Sequence, residues 1–219
     1  LKKENKLIYR GLRLIFKPLF HILFRPVIIG RENIPSDGAA VLAGNHKHAF
    51  DPIFVDVCTK RIVCTLAKKE LHDGKFGFIF RGAGTIPVDL HSAHNPDALD
   101  AAVRALKEGE IVNVSPEAKR NYTSELLLPF KFGAAVMSYR TGAPVIPYAI
   151  SGKYKPFRGR VTIKIGSPVY PAGKDTDTIN REIYNSVAEL LMKIMPQDEL
   201  KSKRFSSYDE WRTEYEKTS

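Results

Sequence analysis

No stretch of this chain approaches the roughly eighteen uninterrupted apolar residues of a membrane-spanning helix. A spanning anchor is therefore not expected, although a helix lying in the plane of a membrane surface needs no such run. Cysteine is equally scarce. Only Cys58 and Cys64 occur in 219 residues, both in apolar surroundings. That argues against a disulfide-stapled secreted scaffold and for buried thiols in a reducing compartment. The basic, apolar N-terminus lacks a small-residue cleavage site, so a signal peptide is not expected. Nucleotide-binding loops are missing as well: Gly82-Ala83-Gly84 is too short for a Walker loop, and no Rossmann fingerprint occurs. Without a G-x-S-x-G elbow, a serine hydrolase is excluded. The histidines include no H-E-x-x-H, and the two cysteines lack zinc-finger spacing, so no metal is expected.

What the chain has in excess is positive charge. A formal net charge of +10 calls for an anionic partner: nucleic acid, an acidic membrane, a phosphorylated substrate or an acidic carrier protein. The cations concentrate at the N-terminus and in scattered loops without a recognition motif, so no nucleic-acid partner is expected.

The length fits one domain, and the pattern divides it into an amphipathic membrane-associating segment, 1–25, and an α/β body, 26–219. Within residues 5–24, Ile8, Leu12, Ile15, Leu19 and Ile22 recur at helical spacing. Leu7 and Leu14 widen this stripe on one flank, Phe16 and Phe20 on the other, with Arg10, Arg13 and Lys17 largely opposite. Gly11 loosens such a helix, and Pro18 is expected to kink or divide it. The membrane reading assigns Arg10, Arg13, Phe16, Lys17, Phe20 and Phe24 to an anionic membrane surface. The competing reading is a helix that covers the domain's own core.

From Val27 onwards, short strand-like runs alternate with helical patterns. The expected fold is α/β, a central mostly parallel or mixed sheet flanked by helices, with the N-terminal amphipathic helix attached. Residues 160–165 alternate in the manner of an edge strand, and Trp211 and Tyr215 are placed to anchor the charged tail.

Chemistry-bearing residues gather in loops after apolar runs. Val41-Leu42-Ala43 ends at Gly44-Asn45, and His46 and Asp51 follow with Pro52 behind. If residues 47–51 turn tightly into a helix, Asp51 folds back on His46 and the two form a general base with its orienting carboxylate. Ser115-Pro116-Glu117-Ala118-Lys119-Arg120 follows another strand and suits either a solvated turn or a phosphate-binding loop. A third loop runs from Thr85 to His94. With no internal nucleophile evident, the nucleophile belongs to the substrate: an alcohol activated by His46 attacks an acyl group directly.

At these residues the chain resembles the glycerolipid acyltransferases. Asn45-His46-Lys47-His48-Ala49-Phe50-Asp51 is similar to the family's N-H-x-S-x-x-D, with His48 in the serine position. Lys68-Lys69-Glu70-Leu71, Phe76-Gly77 and Gly84-Thr85-Ile86-Pro87-Val88-Asp89 resemble the second block, where Leu90 replaces the usual arginine. Ser115 to Arg120 resembles F-P-E-G-T-R, and Val145-Ile146-Pro147 the fourth block. The ordered set covers about residues 25–170.

The resemblance implies His46 as base and Asp51 as its partner, and Asn45, Lys68, Arg81, Glu117, Lys119 and Arg120 in substrate binding. It implies no cofactor. An acyl-CoA or acyl-ACP co-substrate would acylate the sn-2 hydroxyl of 1-acyl-glycerol-3-phosphate, giving phosphatidate, at the cytoplasmic face of the cell membrane, with the protein peripheral or monotopic. Leu90 and Ala118-Lys119 depart from the family pattern, which leaves open a different lysophospholipid or glycolipid acceptor. A non-catalytic basic lipid-binding protein is the remaining alternative.

Overall fold

A computed structural model describes the backbone of residues 3–89 and 95–218, and the side chains of residues 7–89 and 95–213. The strands are β1 (Val27–Ile29), β2 (Ala40–Gly44), β3 (Val63–Lys68), β4 (Ile86–Val88), β5 (Ile111–Val114), β6 (Val145–Gly152) and β7 (Val161–Ile165). Around them run α1 (Lys3–Phe24), α2 (Asp51–Val57), α3 (Lys69–Asp73), α4 (Gly77–Gly82), α5 (Pro96–Lys107), α6 (Gly133–Thr141) and α7 (Thr176–Ile194). Two short helices, α8 (Gln197–Leu200) and α9 (Tyr208–Thr218), close the chain.

The strands form one sheet in the order β1-β7-β6-β2-β5-β3-β4. Strands β6, β2, β5, β3 and β4 are parallel, whereas β7 is antiparallel to β6 and β1 is parallel to β7. Every residue of β2 is buried, as a central strand covered on both faces must be. One face packs against α5, α6 and α7 through Ala102, Leu106, Met137, Ile183 and Val187. The other packs against α1 and α2 through Phe20, Phe24 and Phe54.

The alternation over 160–165 reflects a strand inside the sheet rather than at its edge. The three-residue β1 covers the outer side of β7, so the edges fall to β1 and β4. Both are short, which limits the unpaired backbone they present to another chain. At the C-terminus, Trp211 packs on Tyr184 and Tyr208 and holds α9 to α7. The side chain of Tyr215 lies outside the described residues.

Helix α1 runs unbroken through Pro18. Proline removes the hydrogen bond to the Leu14 carbonyl. Leu14 and Pro18 are both exposed, so that carbonyl lies on the side where solvent can satisfy it. The face that docks is not the aliphatic stripe. Tyr9, Phe20 and Phe24 are buried, with Phe16 half-buried beside them. The Phe20 and Phe24 rings meet Phe54 at 5.3 and 5.7 Å between centroids.

Arg13 donates to the Asp56 and Arg61 carbonyls at 2.7 and 2.8 Å, and the Tyr9 hydroxyl donates to the Asp56 carboxylate. Phe20, Phe24 and Arg13, expected at a membrane surface, are therefore used to dock the helix. The wide rings fill the space over α2 that aliphatic side chains would leave partly empty. Leu7, Ile8, Leu14, Ile15, Leu19 and Ile22 remain outside, with Leu14 78% exposed.

Phe24→Ala should destabilise the protein by about 3 kcal/mol through cavity formation, whereas Ile15→Ser should stay within about 0.5 kcal/mol of the parent. Urea denaturation of the two variants checks this division of the helix faces.

Candidate active site

Strands β2 and β5 lie side by side and parallel, with Ala43 opposite Val114. The loops that leave their C-terminal ends therefore emerge next to each other. At the exit of β2, a Cβ on Gly44 would sit 2.4 Å from the Tyr148 ring, so only glycine lets the strand pass. Asn45 then turns the chain. Its amide oxygen accepts from Ile150 N at 2.7 Å, and its Nδ2 donates to the Ile150 carbonyl at 3.0 Å. Expected at the substrate, Asn45 is instead buried with its amide committed to the main chain of β6.

That turn delivers His46 to Asp51, the first residue of α2. One oxygen of Asp51 accepts from His46 Nδ1 at 2.9 Å and from the Lys47 and His48 amides at 2.7 Å each. The other accepts from the Tyr154 hydroxyl. Asp51 is 1% exposed, and these donors replace its lost water. Nδ1 facing a carboxylate carries the proton, which leaves Nε2 with its lone pair. The His46 side chain is 23% exposed, enough for a substrate to reach it.

Tyr154 was not among the residues expected here. It follows β6 in a lysine- and arginine-rich turn whose composition reads as solvated surface. In the fold its ring stacks on His48 at 4.2 Å and lies edge-on to Phe54. Burial, followed by the nearby Asp51 charge, pushes its hydroxyl well above the ordinary phenol range, so it serves as a neutral donor. His48, in the position usual for serine, thus contributes its amide to Asp51 and its ring to Tyr154.

Glu117 arrives from the β5 loop and is 4% exposed. Its two oxygens accept from His46 N at 2.7 Å and Leu128 N at 2.8 Å. Asn121 N donates to the His46 carbonyl at 2.9 Å, so this loop grips the His46 backbone on both sides. Burial lifts the Glu117 pKa from 4.5 to about 7, against the two amides that favour the charged form. Glu117 is thus spent on the main chain rather than presented to a substrate. The next residue, Ala118, takes φ 56, a left-handed conformation in which glycine would be at ease.

The other expected substrate ligands stand apart from this buried network. Lys119 and Arg120 are exposed, with the Arg120 guanidinium 5.4 Å from the Tyr122 ring. Lys68 ends β3 at the same edge of the sheet, 3.8 Å from Glu70. Arg81 donates to the His72 carbonyl. Leu90, His91 and His94 lie outside the described residues.

His72 Nε2 is 2.7 Å from the Thr85 hydroxyl, which itself donates to the Phe80 carbonyl at 2.9 Å. His72 must therefore be the donor in that pair, and burial lowers its pKa. Among the described residues, no three His, Cys, Asp or Glu are grouped to hold a metal ion. Burial raises the Cys58 thiol to about 12, so it is inert as a nucleophile.

Tyr154→Phe keeps the ring stack but leaves one Asp51 oxygen without a donor. We expect kcat to fall about tenfold with KM little changed, read by steady-state kinetics. Glu117→Gln sets an amide NH2 against a backbone N–H and should cost about 2 kcal/mol at low pH. A carboxyl raised in the folded state contributes most below its unfolded pKa and loses that contribution as pH rises through the folded value. The stability gap between parent and Glu117→Gln should therefore narrow from pH 4.5 to about 7, as pH-dependent denaturation would reveal.

The chain is similar to known proteins in sequence and in fold. A family model described as acyltransferase matches residues 25–151. The chain is 32% identical over 151 residues to 1-acyl-sn-glycerol-3-phosphate acyltransferase of Bacillus subtilis, covering 66% of this chain and 74% of that protein. It is 27% identical over 146 residues to the enzyme of the same description from Borreliella burgdorferi, covering 66% of this chain and 58% of that protein. Among solved structures, it is similar in fold to the 1-acyl-sn-glycerophosphate acyltransferase PlsC of Thermotoga maritima. That match has a TM-score of 0.72 at 24% identity and covers 87% of this chain and 80% of the other. With the model spanning more than half of its residues, this chain belongs to the acyltransferase family.

Proposed function

We propose that this acyltransferase moves a fatty acyl group from a thioester, acyl-CoA or acyl-ACP, to the free sn-2 hydroxyl of 1-acyl-glycerol-3-phosphate, giving phosphatidate. The observation that carries the reading is a half-buried imidazole whose Nδ1 is held by Asp51 and whose Nε2 is available. Nε2 takes the proton of the acceptor hydroxyl, and the oxygen attacks the thioester carbonyl. The C–S bond breaks as the tetrahedral intermediate collapses, and the imidazolium returns its proton to the departing thiolate. The acyl group passes directly from donor to acceptor, with both bound together.

Lys119, Arg120 and Lys68 are exposed cations at this edge of the sheet and are assigned to the acceptor phosphate. Their charge takes the place of the arginine that Leu90 replaces.

The same reading puts the protein on an anionic membrane surface, peripheral or monotopic, at the cytoplasmic face. Leu7, Ile8, Leu14, Ile15, Leu19 and Ile22 give α1 an exposed apolar face, with Arg10 exposed and Lys17 half-buried at its border. Gly82 of α4 lies against Ile8, and Leu71, Phe76 and Phe78 on and beside α3 and α4 are exposed, extending apolar surface beyond α1. Among the described residues, no helix is long and apolar enough to cross a membrane.

His46→Ala should lower acyl transfer by at least about a hundredfold with the fold retained, measured with purified protein, acyl thioester and lysophosphatidate and checked by circular dichroism. Equal turnover in parent and variant would refute the assignment. Lys119→Glu should raise KM for the phosphorylated acceptor several-fold, leave KM for the donor unchanged, and have no effect on an acceptor lacking phosphate.

A further inference from the structure

At the far end of α1, away from α4, the helix meets the turn between β6 and β7. The cleft between them has a volume of about 540 Å³ and is lined by His21, Arg25, Phe157, Arg158 and Arg160, among others. No carboxylate lines it. Among the described residues, none of the three guanidinium groups has a salt-bridge partner, and Lys153 and Lys155 on the same turn are likewise unpaired and exposed. Some basic side chains elsewhere do have acidic partners: Arg13 with Asp56, Lys47 with Glu199, Lys174 with Glu182. Like charges lining one cleft repel one another, and an anion seated among them relieves that repulsion.

Two further observations favour a built site over a chance accumulation of charge. Among the described residues, three non-glycines have positive φ: Ala118 beside the active site, and Arg25 and Phe157, both in this cleft. A left-handed conformation is unfavourable for a bulky residue and persists where its surroundings enforce it, often at a binding site. Here Phe157 N donates to the Leu23 carbonyl at 2.7 Å, which pins the turn to the end of α1.

The second observation is position. On a helix of 3.6 residues per turn, His21 borders the exposed arc that carries Leu14, Ile22 and Leu7, and Arg25 follows one turn later. Phe157, 60% exposed, stands beside them. An apolar face that ends in arginines and an exposed aromatic ring has the order of a bilayer surface, acyl region first and phosphates next.

We propose that this cleft binds the phosphate of an anionic phospholipid headgroup, at a site separate from the His46–Asp51 centre. It fixes the tilt of α1 on the membrane and, through the turn that also carries Tyr154, the presentation of the active site. The inference rests on the association with an anionic membrane proposed above but adds a defined site for the lipid phosphate.

The test compares the parent with the triple variant Arg25→Gln, Arg158→Gln, Arg160→Gln, and with Leu14→Ser, Ile15→Ser as a control for the apolar face. Each is sedimented with vesicles of phosphatidylcholine alone and with vesicles also holding about 30 mol % phosphatidylglycerol. The expected result is binding to the mixed vesicles about a hundredfold weaker in the arginine variant, with binding to phosphatidylcholine unchanged. Its turnover on detergent-dispersed substrate should equal the parent's. The apolar-face control should lose binding to both vesicle types.

Equal binding of parent and arginine variant to the mixed vesicles would overturn the cleft assignment and leave membrane association standing. Equal loss on both vesicle types would also overturn it. A raised KM for acyl-CoA with vesicle binding intact would instead assign the cleft to donor phosphates. Failure of the parent to sediment with either vesicle would remove the membrane reading, and this inference with it.

Discussion

A buried negative charge governs this structure. Asp51 is almost wholly removed from water and survives there because four donors converge on it, three from the 46–48 loop (the His46 ring and the Lys47 and His48 amides) and one from a distant turn, the Tyr154 hydroxyl. A carboxylate without such partners would cost several kcal/mol to bury. Meeting that requirement forces the β2 loop to turn back on α2 and brings the β6–β7 turn over both. The imidazole is oriented as a by-product of solvating its neighbour. Preorganisation of this kind means that little rearrangement is needed when the substrate proton moves.

The second buried carboxylate has another task. Glu117 holds peptide groups rather than a ring, joining the His46 and Leu128 amides so that loops from two neighbouring strands move as one. Two amides do not fully replace its hydration, and burial shows in its raised pKa. Asn45 performs the same service toward β6. The residues around the base therefore anchor the backbone from which it projects, and the charges free for ligands lie outside them.

Helix α1 links this centre to its surroundings through aromatic packing. Phe24 touches both Phe54 and Tyr154, so the helix that exposes an apolar face also abuts the donor of Asp51. One face is filled with rings because it must close against α2, and the other is aliphatic. The exposed apolar face and the residues that orient His46 are thereby linked through one helix, with the basic cleft at its end.

Much of this was legible in the residues. Alternating apolar runs and breakers marked an α/β sheet, because strands buried on both faces must be continuously apolar. The four-residue interval between His46 and Asp51, followed by Pro52, implied a turn into a helix and hence a pair. What tertiary structure alone decided was direction. A helical wheel shows that α1 has aromatic and aliphatic flanks but not which one meets the body, and Phe20 and Phe24 were misread for that reason. Asn45 and Glu117 are polar residues near His46 in motif-like loops, and only the fold reveals that their side chains hydrogen-bond to backbone. Tyr154 lies 103 residues from Asp51 in a turn that reads as surface. No local pattern encodes such a contact, because it arises from the order of strands in the sheet, which places the end of β6 beside the end of β2.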